Sequence, residues 1–377
     1  MGTTRWSVAT TATVAVALLM SGCTGGGEPR ESASASAAPT ASWRPAEIRR
    51  IPPDPCRGVA AGTLRALRVA PLHSSSSGSY CYWGHSADER AKVRGSLTVT
   101  LQVHQPPRTR LSYGAADEAR YTFRRPPGWE ALGAGTPVRG LGEEAKIVRV
   151  DRPLGEQRKI VLAVRIRNLI VQVTAEQEAS LDDEHGSAVP PAGEIEAGVA
   201  GAAGDILALF GARPKPAAAP AYGTGEVRKV GGVCASAAAA GGRLVPGSDG
   251  RDLTPAGTRM NGGCVWDTDG AYTPDLRVYA EAVAPSAATG ETGTAVATAI
   301  FDAARGEATS APKPGDKAKL DHYSFEKGRS RSSRILLRRG NLLVYVDHGR
   351  WHRPSKKTMD DEVAAVAEAV LNAQSRP

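Results

Sequence analysis

The chain has 377 residues, with 47 Lys and Arg against 39 Asp and Glu, for a formal net charge of +8. That length is too great for one typical hydrophobic core, so two domains are expected rather than one. Aromatics are scarce and Ala, Gly and Arg abound, a bias that suits GC-rich coding and separates no function class, while the five cysteines, an odd number, exclude complete pairing into disulfides.

Residues 1–22 read as a processing signal. Arg5 and the free amine give a positive end, and Val8 to Met20 is an apolar stretch broken only by threonines. It is short of the roughly 20 apolar residues that cross a bilayer and fits the apolar region of a secretory signal. The run Leu19-Met20-Ser21-Gly22-Cys23 resembles the lipobox of bacterial lipoprotein signals, with Met20 where Leu is usual. The resemblance implies that the Cys23 thiol takes a diacylglyceryl group and the peptidase cuts before it. The mature chain would then work outside the cytoplasmic membrane, anchored there by palmitate-type chains, each buried CH2 contributing about 0.8 kcal/mol. An ordinary secretory signal with Cys23 discarded is the competing reading. Lipidation leaves four cysteines to pair.

Residues 23–45, rich in Gly, Ser, Ala, Pro and Thr, cannot bury enough surface to fold and read as a flexible tether. A second spacer, 213–223, opens with Arg213-Pro214-Lys215-Pro216 and is expected to be stiffer and extended. Between and after them lie a first domain, 46–212, and a second, 224–377.

The two halves repeat one pattern. Each opens with a lone cysteine, Cys56 or Cys234, followed by Cys-x-Trp at Cys81-Tyr82-Trp83 or Cys264-Val265-Trp266. An alternating strand comes next, with Leu97, Val99, Leu101 and Val103, or Leu276, Val278, Ala280 and Ala282, on one face. Small-residue helical stretches follow near 115–125 and 294–305. Leu141-Gly142-Glu143-Glu144-Ala145 then matches Pro314-Gly315-Asp316-Lys317-Ala318, and Asn168–Val173 matches Asn341–Val346, both 173 positions on. The junctions are Arg167-Asn168 and Gly340-Asn341, and Gly-Asn suits a tight hairpin turn. Each half closes with an amphipathic helix, Ile195, Val199, Ile206 and Phe210 sharing one face, or Met359, Val363, Val366 and Val370. Thr358 and Asp361 resemble a capping box. The expected fold is therefore α+β: two tandem similar domains, each an antiparallel sheet packed by helices and stapled by one disulfide. Duplication favours pairing within each copy, Cys56–Cys81 and Cys234–Cys264, with Trp83 and Trp266 beside their own disulfides. Loops of this size contribute roughly 3–4 kcal/mol each by restricting the unfolded chain.

The features Asp54-Pro55-Cys56, Cys81-Tyr82-Trp83, Gly140-Leu141-Gly142-Glu143-Glu144-Ala145 and Arg167-Asn168-Leu169-Ile170-Val171 resemble a family of actinobacterial envelope lipoproteins built on a domain of unknown function. A more distant similarity is to extracellular sensor domains of actinobacterial serine/threonine kinases. The second copy lacks the Asp-Pro before its cysteine and is more diverged. The resemblance implies export, anchoring and a sheet-plus-helix fold, and brings no catalytic residues.

No motif for nucleophilic, metal-assisted or phosphate chemistry stands out, so no catalytic residue, cofactor or metal site is expected. His348 and His352 are spaced for a shared metal on a helix, but Gly349 and Pro354 place them in a loop, where they read as solvated. Asp182-Asp183-Glu184-His185 and Asp267-Thr268-Asp269-Gly270 lack the alternating ligands of a calcium loop and read as a surface loop and a turn. Between Lys313 and Lys357 there are thirteen Lys and Arg against four Asp and Glu. Arg331, Arg338, Arg339 and Arg350 are the candidates there for holding an anionic lipid or wall polymer, against the plainer reading of a charged, solvated hairpin. Export argues against nucleic acid as the partner. The leading expectation is a non-enzymatic envelope lipoprotein that binds a ligand or a protein. The alternatives are a sensor or accessory subunit of an envelope kinase or transporter, and an enzyme with an unfamiliar site.

Overall fold

Alternation of apolar residues builds two seven-stranded antiparallel sheets with the same strand order. The structure is a computed structural model and describes residues 46–70, 73–74, 78–84, 93–106, 114–124, 135–151, 157–179, 189–215, 218–253, 260–268, 275–309, 316–325, 330–351 and 355–374. Cys23, the acidic run 182–185 and His352 lie outside these residues.

The first sheet contains β1 (His73–Ser74), β2 (Tyr80–Trp83), β3 (Val93–Val103), β4 (Thr136–Pro137), β5 (Glu144–Asp151), β6 (Gln157–Ile166) and β7 (Leu169–Ala179), in the order β1-β2-β3-β7-β6-β5-β4. The second contains β8 (Arg251–Asp252), β9 (Asn261–Trp266), β10 (Asp275–Ala282), β11 (Glu307–Thr309), β12 (Lys317–Phe325), β13 (Ser330–Arg339) and β14 (Leu342–Trp351). Its order, β8-β9-β10-β14-β13-β12-β11, is the same path. The registers agree as well. Cys81, Val99, Val173, Leu162 and Ile147 stand side by side across the first sheet. Cys264, Val278, Val346, Ile335 and Leu320 do so across the second. A one-residue slip would turn every apolar side chain to the wrong face, so the matching registers make the two domains similar in detail.

Among the described residues six α-helices cover the sheets: α1 (Ala61–Ala66), α2 (Ala115–Arg124) and α3 (Ala192–Ala208) in the first copy, α4 (Val233–Leu244), α5 (Gly293–Ala303) and α6 (Lys356–Gln374) in the second. On one face of the first sheet, Leu97, Val99, Leu162 and Val171 pack with Ile195, Val199 and Ile206 of α3. The equivalent face of the second packs Val278, Ile335 and Val344 with Val363, Val366 and Val370 of α6. Both expected disulfides are present, Cys56–Cys81 and Cys234–Cys264. Trp83 and Trp266 are buried in the cores that hold Cys81 and Cys264.

The opposite faces have diverged. In the second sheet Tyr279, Leu336, Leu343 and Tyr345 are buried against Val296, Ile300 and Phe301 of α5 and against Ala192 at the start of α3. At the positions matching Tyr279 and Glu281 the first sheet has Thr100 and Gln102, both exposed. There α2 covers a smaller patch, Phe123 on Val161 and Ala163.

The start of α3 joins the two copies. Arg158 is almost fully buried and donates from Nη2 to Glu281 Oε2 at 2.6 Å and from Nη1 to the Pro190 carbonyl at 2.8 Å. Glu281 Oε1 accepts from the backbone N–H of Ala192 at 3.1 Å. Asn261 donates to the Val189 carbonyl at 2.8 Å. Beside them, buried Arg149 donates to Glu196 of α3 and to Glu291 of the second copy, and Ser286 donates to Glu196 Oε2 at 2.7 Å. Burial alone would weaken the Arg149 charge; the Glu196 and Glu291 carboxylates outweigh it and hold the guanidinium protonated.

Candidate functional site

The turn Gly140-Leu141-Gly142 leads into β5 with positive φ at both glycines, 75° and 63°, a conformation glycine adopts without steric cost. A Cβ on Gly140 would collide with the Lys215 carbonyl, and one on Gly142 with Val164 and the Arg165 carbonyl. This closeness lets the inter-domain linker lie across the turn, the Lys215 N–H donating to the Gly140 carbonyl at 2.9 Å. Pro214 rests against Gly204 of α3. The spacer, expected to be stiff and extended, lies at Arg213–Lys215 as a strap against the first domain.

A cleft of about 330 Å3 lies beneath the strap. Ile166, Leu207, Ala212 and Pro214 give it apolar walls, and Glu143, Arg167, Arg213 and Lys215 bring charge. Ile166 and Leu207 are buried, Arg167 is half-buried, and Arg213 and Lys215 are exposed. Glu143 is matched by Arg165 Nη1 at 2.7 Å, and Glu144 by Arg165 Nε at 2.8 Å and Arg124 at 3.1 Å. Those two acids and two arginines balance. The Glu144 carboxyl sits below its ordinary range: burial opposes its charge, but the hydrogen bonds and charges of Arg165 and Arg124 prevail. Arg167, Arg213 and Lys215 are left as a local cationic excess. Sequence reasoning noted the Gly-x-Gly-Glu-Glu motif but missed this site, because the linker cations and the motif are some 70 residues apart in the chain.

The structure does not bring Arg331, Arg338, Arg339 and Arg350 together. Arg331 and Arg350 are cross-strand neighbours at one end of the β13–β14 hairpin. Arg338 and Arg339 lie at its turn, roughly 23 Å away at about 3.3 Å per residue, and point to opposite faces of the sheet. Arg338 is buried and donates to the Gly340 carbonyl at 3.1 Å. Arg339 makes a two-pronged pair with Asp316, at 2.8 and 2.7 Å, and reaches Asn372 of α6 at 3.1 Å. Arg350 pairs with Glu362 of α6 at 3.3 Å. The four arginines expected to hold an anion together thus lie at two ends of the hairpin, and Arg338, Arg339 and Arg350 have partners of their own. Residues 358–374 hold four acids, Asp360, Asp361, Glu362 and Glu368, and no Lys or Arg, so the excess of nine cations over 313–357 falls to five when α6 is included.

His348 is also corrected: it is fully buried within β14 rather than solvated in a loop. Its Nδ1 lies 2.7 Å from the Asp275 carbonyl, and its Nε2 lies 3.5 Å from Glu362 Oε2. Burial holds its pKa below the ordinary histidine value, and pushes that of the neighbouring Asp275 carboxyl up. Ser333 contacts His322 Nδ1 at 3.0 Å and donates to Asp360 at 2.7 Å, but it is buried. These contacts pin α6 to the sheet and present no exposed nucleophile. Among the described residues no cluster of His, Cys, Asp and Glu has metal-holding geometry, and no helix is long and apolar enough to cross a membrane.

No family model matches the chain, and no curated protein matches it. Among solved structures, a crystal structure of MucB in complex with MucA(peri) is 11% identical, covers 76% of this chain and 85% of its own, and has a TM-score of 0.16. The di-domain ARO/CYC StfQ from the steffimycin biosynthetic pathway is 8% identical, with 86% and 94% coverage and a TM-score of 0.16. A hot dog fold protein of unknown function from Alicyclobacillus acidocaldarius is 9% identical, with 78% and 100% coverage and a TM-score of 0.15. At such scores these likenesses carry no argument about fold or function.

Proposed function

We propose that the chain is a non-enzymatic lipoprotein of the cell envelope, anchored to the membrane through acylated Cys23, and that its folded part binds a ligand or partner outside the cytoplasmic membrane. The observation that carries this reading is the pair of within-copy disulfides, Cys56–Cys81 and Cys234–Cys264, behind a signal that ends in a lipobox-like run. Disulfides persist in oxidising compartments outside the cytosol. Two domains locked by buried ion pairs, with a ready cleft on the first, suit holding something in place better than turning it over. Membership of the actinobacterial envelope lipoprotein family belongs to the same proposal and rests on the motifs of the first copy.

The test is mass spectrometry of the N-terminal peptide from membrane-fractionated cells. The expected result is an acylated peptide beginning at Cys23 and loss of membrane association in Cys23→Ala. An unmodified N-terminus elsewhere, with Cys23→Ala still in the membrane fraction, rejects the anchor.

A further inference from the structure

We propose that the cleft beneath the inter-domain strap is a binding site for a small carboxylic acid with a short apolar body, its carboxylate held by Arg167, Arg213 and Lys215. This deepens the reading of the chain as a binding lipoprotein and rests on its non-enzymatic, ligand-holding part.

Three observations converge. The first is charge. The nearby acids Glu143 and Glu144 are paired with Arg165 and Arg124. Among the described residues the side chains of Arg213 and Lys215 have no hydrogen bond or ion pair, and Arg167 gives only Nη1, to the Ala46 carbonyl at 3.0 Å. Three cations thus face a space of about 330 Å3 without a counter-charge of their own; small-molecule sites run from about 300 Å3 upward.

The second is the lining. Ile166, Leu207, Ala212 and Pro214 offer an apolar surface directly beside the cations. A bare inorganic anion would use the rim and leave those walls wet. A carboxylate on a short hydrocarbon would use both, each buried CH2 adding about 0.8 kcal/mol.

The third is the second copy. By the 173-residue correspondence, Glu143, Ile166 and Arg167 match Asp316, Arg339 and Gly340. There the guanidinium of Arg339 grips the Asp316 carboxylate with two parallel bonds at 2.8 and 2.7 Å. The second copy fills this corner with its own carboxylate–guanidinium pair. The first has Ile166 in place of that arginine, which leaves room, and supplies cations from the turn and the strap instead. Guanidinium groups match carboxylates in shape as well as charge.

The test uses the purified full chain and titration calorimetry at low salt with hexanoate, acetate and inorganic phosphate. The expected result is one saturable site per chain for hexanoate, with acetate and phosphate weaker. Arg213→Glu with Lys215→Glu should weaken hexanoate binding by about tenfold or more, as loss of charge-assisted hydrogen bonds predicts. Arg243→Glu with Arg305→Glu applies the same change of charge to exposed residues of the second domain and should leave binding unchanged. No saturable hexanoate binding overturns the proposal. So does an equal loss in both double variants, which would mean a diffuse field, or phosphate binding as tightly as hexanoate, which would mean the apolar walls take no part. A chain that binds hexanoate but carries no acyl group on Cys23 keeps this site and rejects the envelope anchor; an acylated chain that binds none does the reverse.

Discussion

Asn168 and Asn341 do the same work in the two copies. Asn168 accepts from the Ile48 N–H at 2.7 Å and donates to the Ile48 and His104 carbonyls at 2.7 and 2.9 Å. Asn341 accepts from the Val227 N–H at 2.8 Å and donates to the Val227 and Val283 carbonyls at 2.8 and 2.9 Å. One amide ties the segment entering each domain to the end of β3 or β10. Both asparagines are buried, so truncation strands three backbone groups, and a buried polar group left unpaired costs about 1–3 kcal/mol. Asn341→Ala is expected to lower the unfolding free energy by about 2–4 kcal/mol in urea denaturation, and Asn341→Asp to do no better, because it cannot donate to the two carbonyls. A loss within error of zero would remove the clamp. The sequence marked Gly340-Asn341 as a tight turn, and the turn is there, with φ of 55° at Gly340 and 52° at the matching Arg167. The clamp was not legible, because its partners lie 58 to 120 residues away in the chain.

Among the elements, strands were more legible than helices. The alternating runs of β3 and β10 and the apolar faces of α3 and α6 announce themselves by period. The helix α4, Val233–Leu244, contains four successive alanines and two glycines and has few large side chains to report a face; it escaped notice, as did the six-residue α1. The start of α6 was placed by its residue types at Thr358, yet Ser355 is the residue whose Oγ accepts from the Thr358 N–H at 3.0 Å. The strand β14 was expected to stop before Gly349. It runs on because Gly349 leaves room for the Asp275 carboxylate, which accepts from its N–H at 2.9 Å. That continuation puts His348 under α6, near Glu362 and across from Ser333. Burial disfavours the protonated imidazole, so the folded pKa lies below the ordinary value of 6.5. As pH falls through that value the unfolded chain takes up protons that the folded chain refuses, and stability drops by at most about 1.4 kcal/mol per pH unit for each such group. His104 is shifted in the same direction, by burial against the opposing charge of Glu118, whereas the raised pKa of Asp275 acts in the opposite sense once it protonates. The melting temperature should therefore fall from about pH 7.5 to about pH 5.5, and His348→Gln should flatten that fall. An unchanged slope in the variant would mean His348 does not set it.

Across the whole molecule, the two copies are joined by charges that water does not reach. Arg158 and Glu281 have 1% and 5% of their side-chain surface exposed, so removing one partner leaves the other buried and uncompensated, at about 3–5 kcal/mol. Glu281→Gln keeps the shape and an acceptor for the Ala192 N–H but strands the guanidinium; Arg158→Met strands the carboxylate. Each single variant is expected to lower stability by that amount and to split the thermal transition in two as the domains uncouple. The double variant should recover part of the loss, because the two residues share one interaction. Additive losses and a single unchanged transition would show that the pair does not couple the domains. None of this was visible in the sequence, where Arg158 and Glu281 look like ordinary outward-facing positions on strands. A charge reads as solvent-facing until the neighbouring domain is placed over it.

The divergence of the outer sheet faces also sets the limit of assembly. The start of one copy's last helix seats on the outer face of the next copy, a head-to-tail contact that uses different surfaces on its two sides. Contacts of that kind do not close on themselves, and identical units joined by them grow into open filaments. Here the two domains do not present the same outer face. The first copy carries Thr100 and Gln102, exposed, where the second carries Tyr279 and Glu281, buried. At those two positions the first domain offers neither the apolar ring nor the carboxylate that the second presents to Ala192 and Arg158. The seat that the second domain offers to the start of α3, Tyr279 and Glu281, is therefore not repeated on the first.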